Sequence, residues 1–430
     1  MRVPGRSSDD PPTRTTLDEA ALRAVEDLLA PVDARLERDY PGDDVSRQPV
    51  HTVYVPADRY HAGLAGEWGE QAQAALARAG GVEAVLDAAG VPPELRDAVA
   101  DRVRAKLDRE PVEDLRIDLE DGYGDHGDAE DEVVVAAARA LRNELERGSA
   151  TPFVGIRFKS FERPTRRRGL RTLDLFLTTL LESGDLPDGL LLTLPKVTAV
   201  EQVEAMVTVC AGIERAHRLP AGRLGFEVQI ETPQAILGAD GTALVARMVH
   251  AGQGRVTGLH YGTYDYSASL GIAAAQQSME HPAADHAKAV MQLAAAGTGV
   301  RLSDGSTNVL PVGAAEQVRA AWALHARLVR RSLERGYYQG WDLHPAHLPS
   351  RFAATYAFYR DGMPAAADRL RAYLAREEGA VMDEPATARA LAWYLQRGLD
   401  CGAVGEDELV VLGVDVSGLG RLLRRQGAEG

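Results

Sequence analysis

Short apolar runs recur along the middle of the chain, each trailed by a longer segment of helical pattern. They fall at 50–55, 115–119, 153–158, 190–194, 226–230 and 256–261, with fainter ones near 300–302 or 309–312 and near 338–343. Between the fourth and fifth runs, Val203, Met206, Val207, Cys210 and Ile213 keep the three-and-four spacing of one buried helical face. Thr198-Ala199-Val200-Glu201 reads as the capping box that opens that helix. Strands alternating with helices at this interval predict parallel βαβ units. About eight strands suit a closed (β/α)8 barrel, the α/β TIM-barrel class, better than an open sheet. A doubly wound sheet would carry a Gly-rich phosphate loop after its first strand. Val55-Pro56-Ala57-Asp58-Arg59 has no glycine there, and Gly252-Gln253-Gly254 precedes a strand, as a turn does.

The flanks follow other patterns. Residues 1–15 are polar and read as disordered, and Thr16-Leu17-Asp18-Glu19 reads as a capping box for a helix running to about Ala30. Residues 1–49 are therefore a disordered start plus an N-terminal helical extension. The barrel is expected over 50–349, with a helical insertion at about 67–109 between its first two strands. From 350 to 430 only helices are predicted, at Arg351–Tyr359, Met363–Glu377 and Pro385–Arg397, with weak structure from Gly418 onward. That region forms a C-terminal helical appendage.

Bulk composition narrows the class of protein. A chain of 430 residues, 45% hydrophobic and 26% charged, has the profile of a soluble globular protein with a large core. A formal net charge of -15 argues against nucleic-acid binding, which needs clustered Lys and Arg. Two cysteines, Cys210 and Cys401, offer neither a disulfide framework nor a thiolate zinc site. Met1 to Thr15 lacks an apolar secretory core, and no apolar stretch is long enough for a bilayer. A cytoplasmic protein with no membrane partner is the expectation.

Candidate chemistry gathers where the runs end. Glu231 closes the fifth run in Phe226-Glu227-Val228-Gln229-Ile230-Glu231, and Asp265 follows the sixth in Gly262-Thr263-Tyr264-Asp265. The C-terminal ends of the strands form the reactive face of such a barrel. Two carboxylates on adjacent strands, at one height, suit a hard divalent cation such as Mg2+. Gly262 and the small residues Ser267, Ala268 and Ser269 leave room for close approach.

Arg116-Ile117-Asp118-Leu119-Glu120-Asp121-Gly122 ends the second run with three acids. Alternation puts Asp118 and Glu120 on one face and Asp121 at the rim, where it serves the site or merely the turn. Arg157 ends the third run, as a substrate-binding fork or as an ion-pair partner of those acids. Lys196 ends the fourth. A Schiff-base nucleophile needs a lowered pKa, whereas surrounding carboxylates raise it, so charge balancing is the expected role. The run Arg163 to Arg168 either grips a phosphate or is a solvated loop. His260, His281, His286 and His344 lack metal-ligand spacing, and His344 is expected at the rim.

These segments together resemble the HpcH/HpaI aldolase and citrate lyase β-subunit-like family, of the phosphoenolpyruvate/pyruvate-domain superfamily. The matching stretches are Val53 to Pro56, Asp118 to Asp121, Ile156-Arg157, Leu194 to Val197, Ile230 to Thr232, Gly262 to Asp265 continuing through Ser269-Leu270-Gly271, and His344-Pro345, in family order. The resemblance implies a (β/α)8 barrel with Mg2+ or Mn2+ held by Glu231 and Asp265. It also implies that Arg157 contacts the substrate's oxo or carboxylate oxygens; Arg157, Glu120 and Asp121 are expected to be catalytic, and Lys196, Gly262 and Thr263 to bind substrate beside Arg157. Met382-Asp383-Glu384-Pro385 is similar to a segment that acyl-CoA lyases of this family place over a neighbouring subunit's site. Asp383 is then a catalytic acid or base delivered within a homo-oligomer, or simply a helix N-cap ahead of Pro385. The chain is longer than typical members, and no CoA-binding signature stands out.

The activity this implies is metal-dependent carbon–carbon cleavage or formation on a 2-oxo acid or acyl-CoA-type substrate, through a stabilised enolate. Two alternatives stay open: a phosphoenolpyruvate-type phosphoryl-transfer enzyme with Arg166 to Arg168 as its phosphate clamp, and a non-catalytic barrel that binds a small acid.

Overall fold

The computed structural model describes residues 16–375 and 384–424. Eight parallel strands form a barrel: β1 (His51–Pro56), β2 (Asp114–Asp118), β3 (Phe153–Arg157), β4 (Leu190–Leu194), β5 (Phe226–Ile230), β6 (Val256–Tyr261), β7 (Arg301–Ser303) and β8 (Gly340–Asp342). Hydrogen bonding runs in order from β7 back to β1 and on to β8. A parallel bridge between Ser303 and Gln339 closes the ring, and the Asp304 N–H donates to the Gln339 carbonyl at 2.8 Å. Of the two positions expected for the seventh strand, the one near 300–302 is occupied; 309–312 is loop.

Alternation divides each strand between two environments. Leu115, Ile117, Val154, Ile156, Leu192, Leu194, Val228, Ile230 and Leu259 are buried against the surrounding helices. The other face carries polar groups into the barrel. There the Arg116 guanidinium donates to Asp114, to Glu227 at 2.7 Å and to Thr193 Oγ1 at 3.1 Å. Glu227 also meets His260 Nε2 at 3.0 Å, and His260 Nδ1 accepts the Trp341 indole N–H at 2.9 Å. Burial pushes Glu227 up, but Arg116 and His260 outweigh it and hold the carboxyl at about 2.

Outside the barrel, several expectations shift. Helix α1 spans Glu19–Asp39, with Pro31 inside it, and its cap is Asp18, which accepts the Ala21 N–H at 2.8 Å. The helix Val200–His217 is opened by Gln202 rather than Glu201. Its Oε1 accepts the Thr198 N–H at 2.7 Å and the Ala199 N–H at 3.1 Å. Between β1 and β2 stand three helices, Leu64–Ala79, Gly81–Ala88 and Arg96–Arg109. A single helix, Leu348–Ala375, replaces the two predicted there and carries Pro364. It packs on the helices Ala315–Glu334 and Arg96–Arg109, so the boundary expected at 349 falls inside a helix of the barrel's own outer ring. Past the expected limit of order, Val416–Arg424 is helical and buries Leu419 and Leu423. Among the described residues, no helix is long and apolar enough to cross a membrane.

That outer ring is locked to the sheet by one buried carboxylate. Asp342 accepts from His51 Nδ1 at 2.7 Å, His325 Nε2 at 3.0 Å and Arg351 Nη2 at 2.9 Å, joining β8, β1 and two helices. Burial pushes Asp342 up, but Arg351 and the two histidines hold it well below the ordinary carboxylate range. Removing it strands three buried donors. Asp342→Ala is therefore expected to cost about 3–5 kcal/mol in urea unfolding. Because the folded pKa is depressed, the stability gap to Asp342→Asn is full above the unfolded carboxylate value of about 3.9 and closes as pH falls below it.

Candidate active site

At the C-terminal end of the barrel, the loops after β2 to β6 bring together five carboxylates and two cations. Asp118 is the last residue of β2, and Glu120 and Asp121 follow it. Its carboxylate accepts two guanidinium bonds from Arg157, both at 2.7 Å, and the backbone N–H groups of Glu120 and Gly122 at 3.1 and 2.9 Å. The ion-pair reading of Arg157 is thus realised. Only Nη1 stays outside the fork, 3.5 Å from Glu120. The guanidinium also lies 4.6 Å from the centre of the Tyr54 ring.

Lys196 is the second cation. Its ammonium donates to Glu120 and Asp121, each at 2.6 Å, and stands 3.5 Å from Asp265. Burial works against that charge, but Glu120 and Glu231 outweigh it and keep the pKa above the usual lysine value. This is the opposite of what a Schiff-base lysine needs. Its backbone is left-handed, at φ 51°, and its N–H donates to Glu231 Oε1 at 2.7 Å.

Glu231, one residue past β5, is 2% exposed. Burial pushes its carboxyl up to about 8; Glu120 and Asp265 add to the push, and Lys196 and Arg157 oppose it. Glycine at 262 makes this packing possible, because a Cβ there would lie 2.5 Å from Glu231 Cβ and 2.7 Å from Oε2. Asp265 departs from expectation. β6 stops at Tyr261, so Asp265 sits in the first turn of the helix Thr263–Ser269, with its side chain about half exposed. It shares the mouth with Glu231 but comes from a helix rather than a strand end.

The neighbouring acids part company. Burial raises Glu120, with Asp121 adding to the push. Asp121 also feels burial, but the hydrogen bond from Lys196 holds it below its ordinary range. Thr263 is buried, and its hydroxyl has no protein hydrogen-bond partner. Beneath the mouth lie three residues the sequence reading passed over: Tyr54, Trp341 and Gln229. The Tyr54 and Trp341 rings meet at a tilt, 4.7 Å between centres, and Gln229 Nε2 donates to the Tyr54 hydroxyl at 3.3 Å. Gln229 was legible, because it precedes Glu231 by two residues and so shares its face.

Other candidates lie elsewhere. Arg168 is engaged by Asp131, and Arg166 Nε donates to the Phe161 carbonyl at 3.0 Å, so both already have partners of their own. His344 caps a short turn, accepting the Ala346 N–H at 3.1 Å. Asp383 lies outside the described residues. A cavity of about 670 Å3 opens at the opposite end of the barrel, lined by Arg301, Phe153 and Gly189.

Could these residues hold a metal? Among the described residues, no three His, Cys, Asp or Glu side chains close around one point. Mg2+ does not require that, since it commonly takes one or two carboxylates and completes its sphere with water and substrate oxygens. The donors here are all oxygen. Five carboxylates against two cations leave three negative charges, and a proton on Glu231 leaves two. A hard divalent cation fits that balance.

Fold and mouth together define a (β/α)8 barrel with an acidic, oxygen-rich C-terminal face. The chain belongs to the family DUF6986, described as a domain of unknown function, whose model matches residues 29–426. No curated protein matches it in sequence. Among solved structures, a citrate lyase from Burkholderia xenovorans is similar at a TM-score of 0.57 and 18% identity, over 86% of this chain and 97% of that one. CitE from Mycobacterium tuberculosis, in complex with magnesium, acetoacetate and coenzyme A, gives 0.47 and 18%, over 84% and 100%. An HpcH/HpaI aldolase/citrate lyase family protein from Burkholderia cenocepacia gives 0.39 and 16%, over 79% and 99%. At 18% identity, what the chain shares with the Burkholderia xenovorans citrate lyase is the fold.

Two outcomes follow. Gly262→Ala forces Glu231 aside and is expected to cost about 1–3 kcal/mol in thermal or urea unfolding. The raised Glu231 pKa makes the protonated acid the better-tolerated form. In metal-free buffer its stability contribution, measured against Glu231→Gln, is full below about pH 4 and is lost as pH rises to about 8.

Proposed function

We propose that this protein is a divalent-metal-dependent carbon–carbon lyase or aldolase acting on a 2-oxo acid or acyl-CoA-type substrate. The observation that carries the reading is Glu231: a buried carboxylate beside Asp265, at the reactive end of a barrel shared with a citrate lyase. Glu231 and Asp265 would hold Mg2+. When bound, the ion supplies Lewis-acid polarisation of the substrate's oxo group and offsets negative charge on the enolate oxygen.

The chain's own residues supply the rest. Arg157 Nη1, the guanidinium nitrogen outside the Asp118 fork, gives a second positive contact at the same oxygen. The Thr263 hydroxyl, buried without a protein hydrogen-bond partner, would hydrogen-bond the substrate, and Gly262 leaves the clearance that Glu231 fills. Glu120 and Asp121 divide two roles, because their environments push their pKa values apart. Glu120, raised, takes and returns the proton, and Asp121, lowered, stays charged to hold Lys196. Asp383 from a neighbouring copy is a further proton donor under this reading. The engagement of Arg166 and Arg168 elsewhere weighs against the phosphate-clamp alternative.

Calorimetry with Mg2+, paired with a panel of 2-oxo acids and acyl-CoA esters, tests this. Cleavage activity is expected to vanish with EDTA and return with Mg2+. Glu231→Gln is expected to weaken Mg2+ binding by about 100-fold. Substrate binding without turnover, with metal affinity unchanged in that variant, would sink the enzyme reading in favour of a binding barrel.

A further inference from the structure

We propose that α1 is an association helix, packing its apolar stripe against the α1 helices of other copies of this chain in parallel register. The proposal stands apart from the reading of the active site. None of the 21 residues of α1 is buried in its own chain. Yet Leu22, Val25, Leu29, Val32 and Leu36 repeat at intervals of three and four, with Leu28 beside them. Leu22, Val25, Leu28, Leu29 and Leu36 are exposed, from Leu22 at 44% to Leu28 at 73%, and Val32 is half-buried. A lone helix of this length is marginal in water, and Pro31 removes one of its hydrogen bonds. The helix is tied to the body beyond its last turn, where Tyr40 meets His250 edge-on at 5.4 Å and the Gly42 N–H donates to the Gly297 carbonyl at 2.8 Å.

The spacing and the charges name the occupant. Alternating intervals of three and four form the seam of helices lying side by side. Identical faces are self-complementary under rotational symmetry, so one stripe on each copy suffices. One flank of the seam carries Glu19, Glu26 and Asp33; the other carries Ala21, Leu28 and Arg35. Antiparallel pairing would set the acidic flank against itself. Parallel pairing sets it against apolar and basic positions, and that choice fixes the register.

Sedimentation of the full chain at micromolar concentration tests the proposal. Wild type is expected above monomer mass, and Leu22→Glu with Leu29→Glu is expected to bring it down. Ala34→Glu, on the opposite face, should leave the mass unchanged. These sites are exposed, so an unchanged thermal melt of the dissociated variant separates loss of association from misfolding. Val25→Cys should cross-link to itself under mild oxidation, because parallel register stacks that position on its equivalent; Cys210 and Cys401 are buried and stay out of the reaction. A monomeric wild type, a doubly charged variant that keeps its mass, or a Val25→Cys chain that never cross-links overturns it.

Discussion

The mouth of this barrel is governed by a shortage of positive charge. Carboxylates removed from water are costly unless another group answers them. Here the answers are handed out unevenly. Asp118 takes two bonds from Arg157, and Lys196 is divided between Glu120 and Asp121. Glu231, the most enclosed acid without a side-chain partner, receives a single backbone N–H and is left needing a proton or an outside cation.

The layers below keep the remainder in place. Arg116 ties β2 to β4 and β5 through Thr193 and Glu227, and His260 passes the chain of contacts to Trp341 on β8. Trp341 packs at a tilt against Tyr54, over which Arg157 lies. Polar core and rim are therefore joined by a continuous run of contacts. A cavity of about 670 Å3 lies at the far end of the barrel, whereas the acidic cluster sits where side chains already fill the space.

Much of this was legible in the sequence because it depends on local pattern. Alternating apolar runs located the strands, and Glu231 announced itself as a carboxylate where an apolar run stops. What depended on distant partners was hidden. Nothing in the neighbourhood of Asp342 indicates that its counter-charges sit on β1 and two helices, and nothing near Glu227 points to Arg116, 111 residues earlier. Helix ends misled for a related reason. The pattern ends the first helix at about Ala30, ahead of Pro31, and places a gap between Tyr359 and Met363, whereas the chain runs on as one helix through each. Asp265 is expected at a strand end because it follows the sixth apolar run; the chain instead turns into a helix at Thr263.

The left-handed backbone at Lys196 has a consequence for the history of this site. A side chain in that conformation is disfavoured by about 1–2 kcal/mol, and glycine would relieve the cost. Glycine, however, carries no ammonium. Drift toward a sturdier loop and retention of the charge pull in opposite directions at this one position, so a thermally hardened descendant that relaxed the turn would do so by unbalancing its own reactive face.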